Sequence, residues 1–169
     1  VIGVVIAVLV VALLVWHSGI FQRRVTAVSV AGRNYNVTDV QYYYRSAVIE
    51  EYYTELYSTG TVSFDPSGDL KTQYVDEEQT QSYYDYFMEQ VMDTLTEVAV
   101  LENAADEAGY TLDEEGQATV EQNIASNRSS AEQSGYPNFA GFLKANFGRF
   151  MTVNAYKTCV ERQVRTDSF

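Results

Sequence analysis

Cysteine and histidine are nearly missing from this chain: Cys159 and His17 are the only residues of their types among 169. A single cysteine excludes an intramolecular disulfide. A single histidine, set in an apolar N-terminal stretch, removes His/Cys metal sites along with Ser-His-Asp and Cys-His catalysis. No metal, no cofactor and no catalytic set is therefore expected. Cys159 falls in an apolar-patterned helix and reads as buried filler. Basic residues are also few, with 11 Lys and Arg against 23 Asp and Glu and a net charge of −12. Phosphate-backbone binding needs clustered Lys and Arg, and those here are scattered through an acidic surface, so neither nucleic acid nor anionic lipid is expected as a partner.

What the chain does have begins at once: residues 1–15 (VIGVVIAVLVVALLV) are unbroken apolar sequence, followed by Trp16, a Ser18-Gly19 break and Ile20-Phe21. At about 1.5 Å per helical residue this run spans roughly 30 Å, the thickness of a bilayer core, and Trp16 falls where interfacial aromatics sit. Residues 1–22 are read as a transmembrane anchor. A signal peptide cleaved near Ala27-Val28-Ser29 is the rival. The apolar run is longer than the usual stretch of about 7–15 residues, and Arg23-Arg24 stand between it and that site. A lipoprotein signal would need a cysteine after the run, and none follows. The positive-inside rule compares two flanks, and only one is present.

The remaining stretch, 25–169, suits one domain with a real core. Val25 to Val37 reads as a small β-hairpin turning at Ala31-Gly32-Arg33-Asn34. Thr38 and Gln41 have capping-box spacing and open a helix to about Tyr57. Ser58 to Asp76, with Gly60, Pro66 and Gly68, is a loop. Asp65, Ser67, Asp69 and Asp76 fall at calcium-loop positions, but Leu70 occupies the place of the turn glycine and the last ligand is Asp, so an ordinary acidic turn is favoured. Asp76-Glu77-Glu78 supply charge for the start of the strongest helix, in which Tyr84, Phe87, Met88, Val91, Leu95, Val98, Glu102 and Ala105 step by three and four until Gly109. Asp113 opens a polar helix ending at Gly135, Asn138 caps a short one from Phe139 to Phe147, and Thr152 caps a last one with Val153, Tyr156, Val160 and Val164 on one face. The fold class expected is mainly α: a transmembrane helix, then a multi-helix domain with a small N-terminal hairpin.

The run Val28-Ser29-Val30-Ala31-Gly32-Arg33-Asn34-Tyr35-Asn36-Val37-Thr38, the Tyr-rich helix after it, the long second helix ending Glu107-Ala108-Gly109-Tyr110-Thr111-Leu112-Asp113, and the stretch from Gly135-Tyr136 to Phe147-Gly148 occur in a telling order. Together they resemble the N-terminal chaperone domain of SurA- and PrsA-like foldases, which is related in fold to part of trigger factor. The resemblance covers about Val25 to the C-terminus and implies an extracytoplasmic folding helper, tethered to the cell membrane, that binds unfolded secreted proteins. Two departures stand beside it. Such proteins are usually anchored by a lipidated cysteine, and the parvulin-type peptidyl-prolyl isomerase domain that often accompanies the chaperone domain has no counterpart here. The alternatives are a non-catalytic part of such an isomerase, and a single-pass surface or secretion-apparatus component. Type IV pilins carry an acidic residue near the helix start where this chain has Val5. A carboxylate hydrolase is disfavoured because most acidic residues sit at helix starts, where the dipole accounts for them. Nothing in the sequence indicates the oligomeric state.

The binding residues expected come from helical geometry. Successive residues are about 100° apart, so Tyr42, Tyr43 and Tyr44 cannot share one stripe. Tyr42, Ile49, Tyr53 and Leu56 form one face; Tyr44, Ala47, Val48 and Tyr52 form another. Such a helix is either sandwiched within the fold or left with one face for a client. Tyrosine suits a client groove because it offers a flat apolar body and a hydroxyl at little rotamer cost. Met88 and Met92 add adaptable surface, Met88 within the core stripe. The candidate client-binding residues are Tyr44, Val48, Tyr52 and Met92.

Overall fold

The computed structural model describes residues 23–169. The apolar run at 1–21, read above as an anchor, lies outside them together with His17. Among the described residues no helix is long and apolar enough to cross a membrane.

Two short strands, β1 (Thr26–Val30) and β2 (Arg33–Asn36), pair antiparallel with Val28 opposite Tyr35 and Val30 opposite Arg33. The connection is only Ala31-Gly32, both at positive φ (47° and 79°), as a two-residue hairpin turn requires. Arg33 and Asn34, expected in the turn, therefore belong to the second strand. Five helices follow: α1 (Val37–Thr59), α2 (Tyr83–Glu107), α3 (Glu114–Gln133), α4 (Phe139–Phe147) and α5 (Val153–Ser168). The domain is thus mainly helical with a small N-terminal sheet.

The cap of α1 lies two residues earlier than the Thr38/Gln41 box. Asn36 is the cap: its Oδ1 accepts the Thr38 and Asp39 N–H groups at 2.8 and 3.2 Å, and Asp39 Oδ2 accepts the Asn36 N–H at 2.8 Å. Thr38 is buried and turned inward, with its hydroxyl donating to Asn36 Oδ1 at 2.6 Å. Asn accepts as well as Thr at a cap, so the residue whose burial is useful goes inside. The start of α2 shifts the other way. Ser82 caps it, accepting the Asp85 N–H at 3.1 Å, while Asp76 organises a turn of its own by accepting from Thr80 and Gln81. The charged triplet 76–78 therefore precedes the helix instead of opening it. The caps at Asp113, Asn138 and Thr152 stand where the pattern places them.

Two apolar clusters form the interior. The larger gathers Tyr35, Tyr42, Tyr43, Val91, Leu95, Val120, Leu143, Phe147, Met151, Tyr156, Cys159 and Val160 among others, joining all five helices to the hairpin. The smaller is Val48, Phe64, Leu70, Tyr83 and Phe87, and Tyr44 packs against both. Segment 61–82 folds back to deliver Phe64 and Leu70. Three local turns hold it, in which Asp65, Asp69 and Asp76 accept from residues just downstream. Gln73 ties it further, bonding the Asp65 N–H and carbonyl at 2.7 and 3.0 Å.

A chain of ion pairs crosses the larger cluster. Arg162 on α5 meets Asp39 of α1 at 2.7 Å and Glu102 of α2 at 3.3 Å, and its guanidinium lies over the Tyr35 ring at 5.2 Å. Tyr35 donates to the other Glu102 oxygen at 2.9 Å. Arg33 extends the chain to Glu102, Asn103 and Asp106, and Arg165 closes it by binding Asp106 and the Tyr110 carbonyl.

The tyrosines make alkali a test of this core. An unfolded tyrosine ionises near pH 10. Burial pushes the phenols of Tyr44 and Tyr156 up to about 12. Those of Tyr35, Tyr42 and Tyr43 rise further, Tyr35 helped by its bond to Glu102. Keeping these groups neutral costs nothing below pH 10. Above it only the unfolded chain releases the protons, so stability falls as pH rises toward the folded values. The expected outcome is cooperative alkaline unfolding in which the phenolate absorbance of these five appears together with loss of the helical circular dichroism signal. Ionisation of all fourteen tyrosines near pH 10 with the helices intact would contradict this core.

Candidate functional site

Helix α1 presents its aromatic residues to three different surroundings. Val48 is fully buried in the smaller cluster, so it offers no surface to a client. The reason is the stretch from Ser58 to Asp76, which reads as a loop but brings Phe64 and Leu70 over that face. Tyr44 is wedged against Tyr84 and Phe87, with ring centroids 5.6 and 6.2 Å away. Tyr52 is half-buried beside the same cluster and meets the Tyr53 ring edge-on at 5.3 Å. Met92 lies elsewhere, in a shallow recess with Asp85, Met88, Glu89 and Asp93. The four expected residues do not form one groove, and the second face of α1 is sandwiched over Tyr44 and Val48.

The aromatic surface that stays open is further along the helix. Tyr53 is 48% exposed and Tyr57 is 82% exposed, and their rings stack at 5.8 Å and 17°. The sequence pattern puts Tyr53 on the opposite face and Tyr57 at the helix end. Gly60 terminates the helix in the left-handed conformation, with its N–H bonded to the Leu56 carbonyl, so Tyr57 stands in the last turn beyond the packed layers. The spacing of four between Tyr53 and Tyr57 was the available signal, since such pairs meet on a helix surface.

Chemistry of the acid-base or nucleophilic kind finds little support in the ion-pair chain. Against the pull of its own burial, the Asp39 charge and hydrogen bond, then Glu102, hold the Arg162 guanidinium above its ordinary pKa. It is a fixed cation. Cys159 is fully buried, and its thiol is pushed up by burial and by the neighbouring Asp39 charge, so it is not a thiolate at neutral pH. A groove of about 580 Å³ runs between α3 and α5, with Leu112 and Val120 beside Glu121, Lys157, Glu161 and Arg165. Its rim charges are mutually paired, Lys157 with Glu121 at 2.8 Å and with Glu161 at 3.8 Å. Among the described residues no group of three or more acidic, histidine or cysteine side chains could hold a metal ion.

The chain matches no protein-family model, no curated protein and no solved structure.

The layout of α1 separates core from surface by substitution. Val48→Ala is expected to lower stability by about 2 kcal/mol, because a fully buried methyl pair leaves a cavity. Tyr57→Ser is expected to change it by no more than about 0.5 kcal/mol, as exposed side chains usually do. Urea denaturation of both variants checks the order, and equal losses would contradict it.

Proposed function

We propose that this chain is a membrane-tethered chaperone domain that acts outside the cytoplasm and holds unfolded secreted polypeptides. The observation that carries this reading is the stacked, exposed pair Tyr53 and Tyr57 with Tyr52 at its edge, on a domain whose other tyrosines, Tyr74 apart, are buried or half-buried. Large apolar side chains left on a soluble face usually mark interaction surfaces. Two stacked phenols add adaptability: they bury much apolar area, accept or donate hydrogen bonds, and demand no particular partner sequence. The resemblance to SurA- and PrsA-like domains and the apolar run at 1–21 support the location outside the membrane. The client surface in this reading is Tyr52, Tyr53 and Tyr57, with Tyr52 resting on the cluster that holds Val48 and Tyr44.

The full chain in detergent micelles is expected to suppress aggregation of a chemically unfolded model protein, measured by light scattering against micelles alone. The double variant Tyr53→Ser/Tyr57→Ser should need several-fold more protein for the same suppression while its melting temperature stays close to that of the parent. Undiminished suppression by the variant removes these tyrosines as the client surface. No suppression by the parent removes the chaperone reading itself.

A further inference from the structure

The stripe Tyr42, Ile49, Tyr53 and Leu56 divides along α1. Tyr42 enters the larger cluster, whereas Ile49 and Leu56 are half-buried and pack against neither cluster, and Tyr53 is 48% exposed. The second half of the stripe therefore has no partner among the described residues. Tyr57 lies on its margin, stacked on Tyr53, and Tyr52 borders the other side. Ile49, Tyr53 and Leu56 step by four and three, the spacing that one helix offers to another in a packed seam.

A face of this make takes a helix in preference to an extended chain. Its surface is apolar side chain with the tyrosine hydroxyls as its free polar groups, so a strand laid on it would bury backbone N–H and C=O groups without partners. A helix arrives with those groups already bonded to one another and presents only a stripe of side chains.

Charge then selects which helix. Glu50, three residues before Tyr53, is exposed on the flank of the stripe and makes no ion pair among the described residues. Arg45 is the only basic residue of α1, and it is held by the Pro66 carbonyl at 3.3 Å, a turn before Ile49. The last turn of the helix carries no basic residue, so the negative end of its dipole is uncompensated there too. A second copy of the chain would bring the same carboxylate to this flank, and a net charge of −12 with it. From Ile49 to Tyr57 the face is also only about 12 Å long on a helix about 10 Å wide, far short of the roughly 800 Å² per partner that a stable complex buries. Such a surface fits a transient guest of opposite charge.

We infer that this face holds its client as an amphipathic helix with lysine or arginine beside the apolar stripe; the inference rests on the client-holding reading and gives it a client class. The apolar side chains of the guest fill the spaces between Ile49, Tyr53 and Leu56, while its cation meets Glu50 and covers the open face of Tyr57. A helix whose stripe is not yet covered by its own fold is the state of a client that most needs holding.

The test uses the full chain in phosphatidylcholine nanodiscs, with empty nanodiscs as the blank, and three fluorescent peptides read by anisotropy. The first is a leucine-striped helix locked by a side-chain staple on its polar face, with lysines beside the stripe; the second has glutamates in place of those lysines. The third has the composition of the first, unstapled, in an alternating order that favours a strand. The first is expected to bind about tenfold more tightly than either of the others, and sodium chloride should narrow its advantage over the second. Glu50→Lys should reverse the order of the first two, and Ile49→Ser/Leu56→Ser should weaken the first several-fold, both at a melting temperature close to that of the parent because none of these side chains joins a core cluster. Equal or tighter binding of the alternating peptide, or full-strength binding of the first by Ile49→Ser/Leu56→Ser, overturns the helical guest on this face. Equal binding of the lysine and glutamate helices, or an order that survives Glu50→Lys, overturns its charge, and all four results leave the aromatic client surface standing. A parent that sediments as a dimer, and is dissociated by Ile49→Ser/Leu56→Ser but by none of the peptides, assigns the face to a second copy and overturns the inference. Binding of none of the three peptides overturns the client-holding reading as well.

Discussion

The guanidinium of Arg162 is the point on which the architecture turns, because it joins three elements that are far apart in sequence. It reaches Asp39 at the start of α1 and Glu102 late in α2, and it covers the Tyr35 ring of the hairpin. Asp39 serves twice, capping α1 through one oxygen and pairing Arg162 through the other. The cap and the tertiary contact are therefore one feature: the helix cannot start elsewhere without moving its carboxylate away from the cation. Three arginines (33, 162, 165) meet three carboxylates (39, 102, 106) in this chain of contacts, so it is locally neutral inside a protein of net charge −12. Local neutrality matters because an unpaired charge in this setting would cost several kcal/mol.

That anchorage sets what α1 can present. With its first turn fixed to α5 and α2, its Tyr42 and Tyr43 enter the larger cluster, while Val48 meets Phe64, Leu70 and Phe87 in the smaller one. The helix nevertheless runs on to Thr59, past the last buried layer. Its end carries Tyr53 and Tyr57 to the surface because none of the described residues packs over them. The proposed client surface is thus the unpacked end of a helix whose other end is pinned.

Much of the fold is legible in the chain. The caps at Asp113, Asn138 and Thr152 are readable because each is a short polar residue just ahead of a helical run, and Gly135 and Gly148 mark where the first two runs stop. The two misplaced helix starts share one cause. Near Asn36-Val37-Thr38-Asp39 and near Asp76 to Ser82 several residues are chemically able to cap, and tertiary burial chooses among them: Thr38 goes inside, and Asp76 is used for a turn. The stripe of α2 holds at Phe87, Val91, Leu95, Val98, Glu102 and Ala105 and departs at its start, where Tyr83 takes the core place and Tyr84 is only partly buried. The site was less legible. Periodicity shows that α1 has two apolar faces, but it carries no information on segment 61–82, whose Phe64 and Leu70 cover the second face from twenty residues away. The Arg162 contacts leave no trace for a similar reason, since pairings across 60 and 123 residues carry no spacing signal.

The central claim is that the Arg162 charge holds these elements together, and the most direct measurement compares Arg162→Met with Asp39→Asn/Glu102→Gln/Arg162→Met by urea unfolding of the full chain. The account predicts a loss of about 3–5 kcal/mol in the single variant, which strands buried Asp39 and leaves Glu102 only Arg33 and the Tyr35 hydroxyl, and recovery of a large part of it when both carboxylates are neutralised as well. A single-variant loss below about 1 kcal/mol, the range of an ordinary surface ion pair, would contradict it.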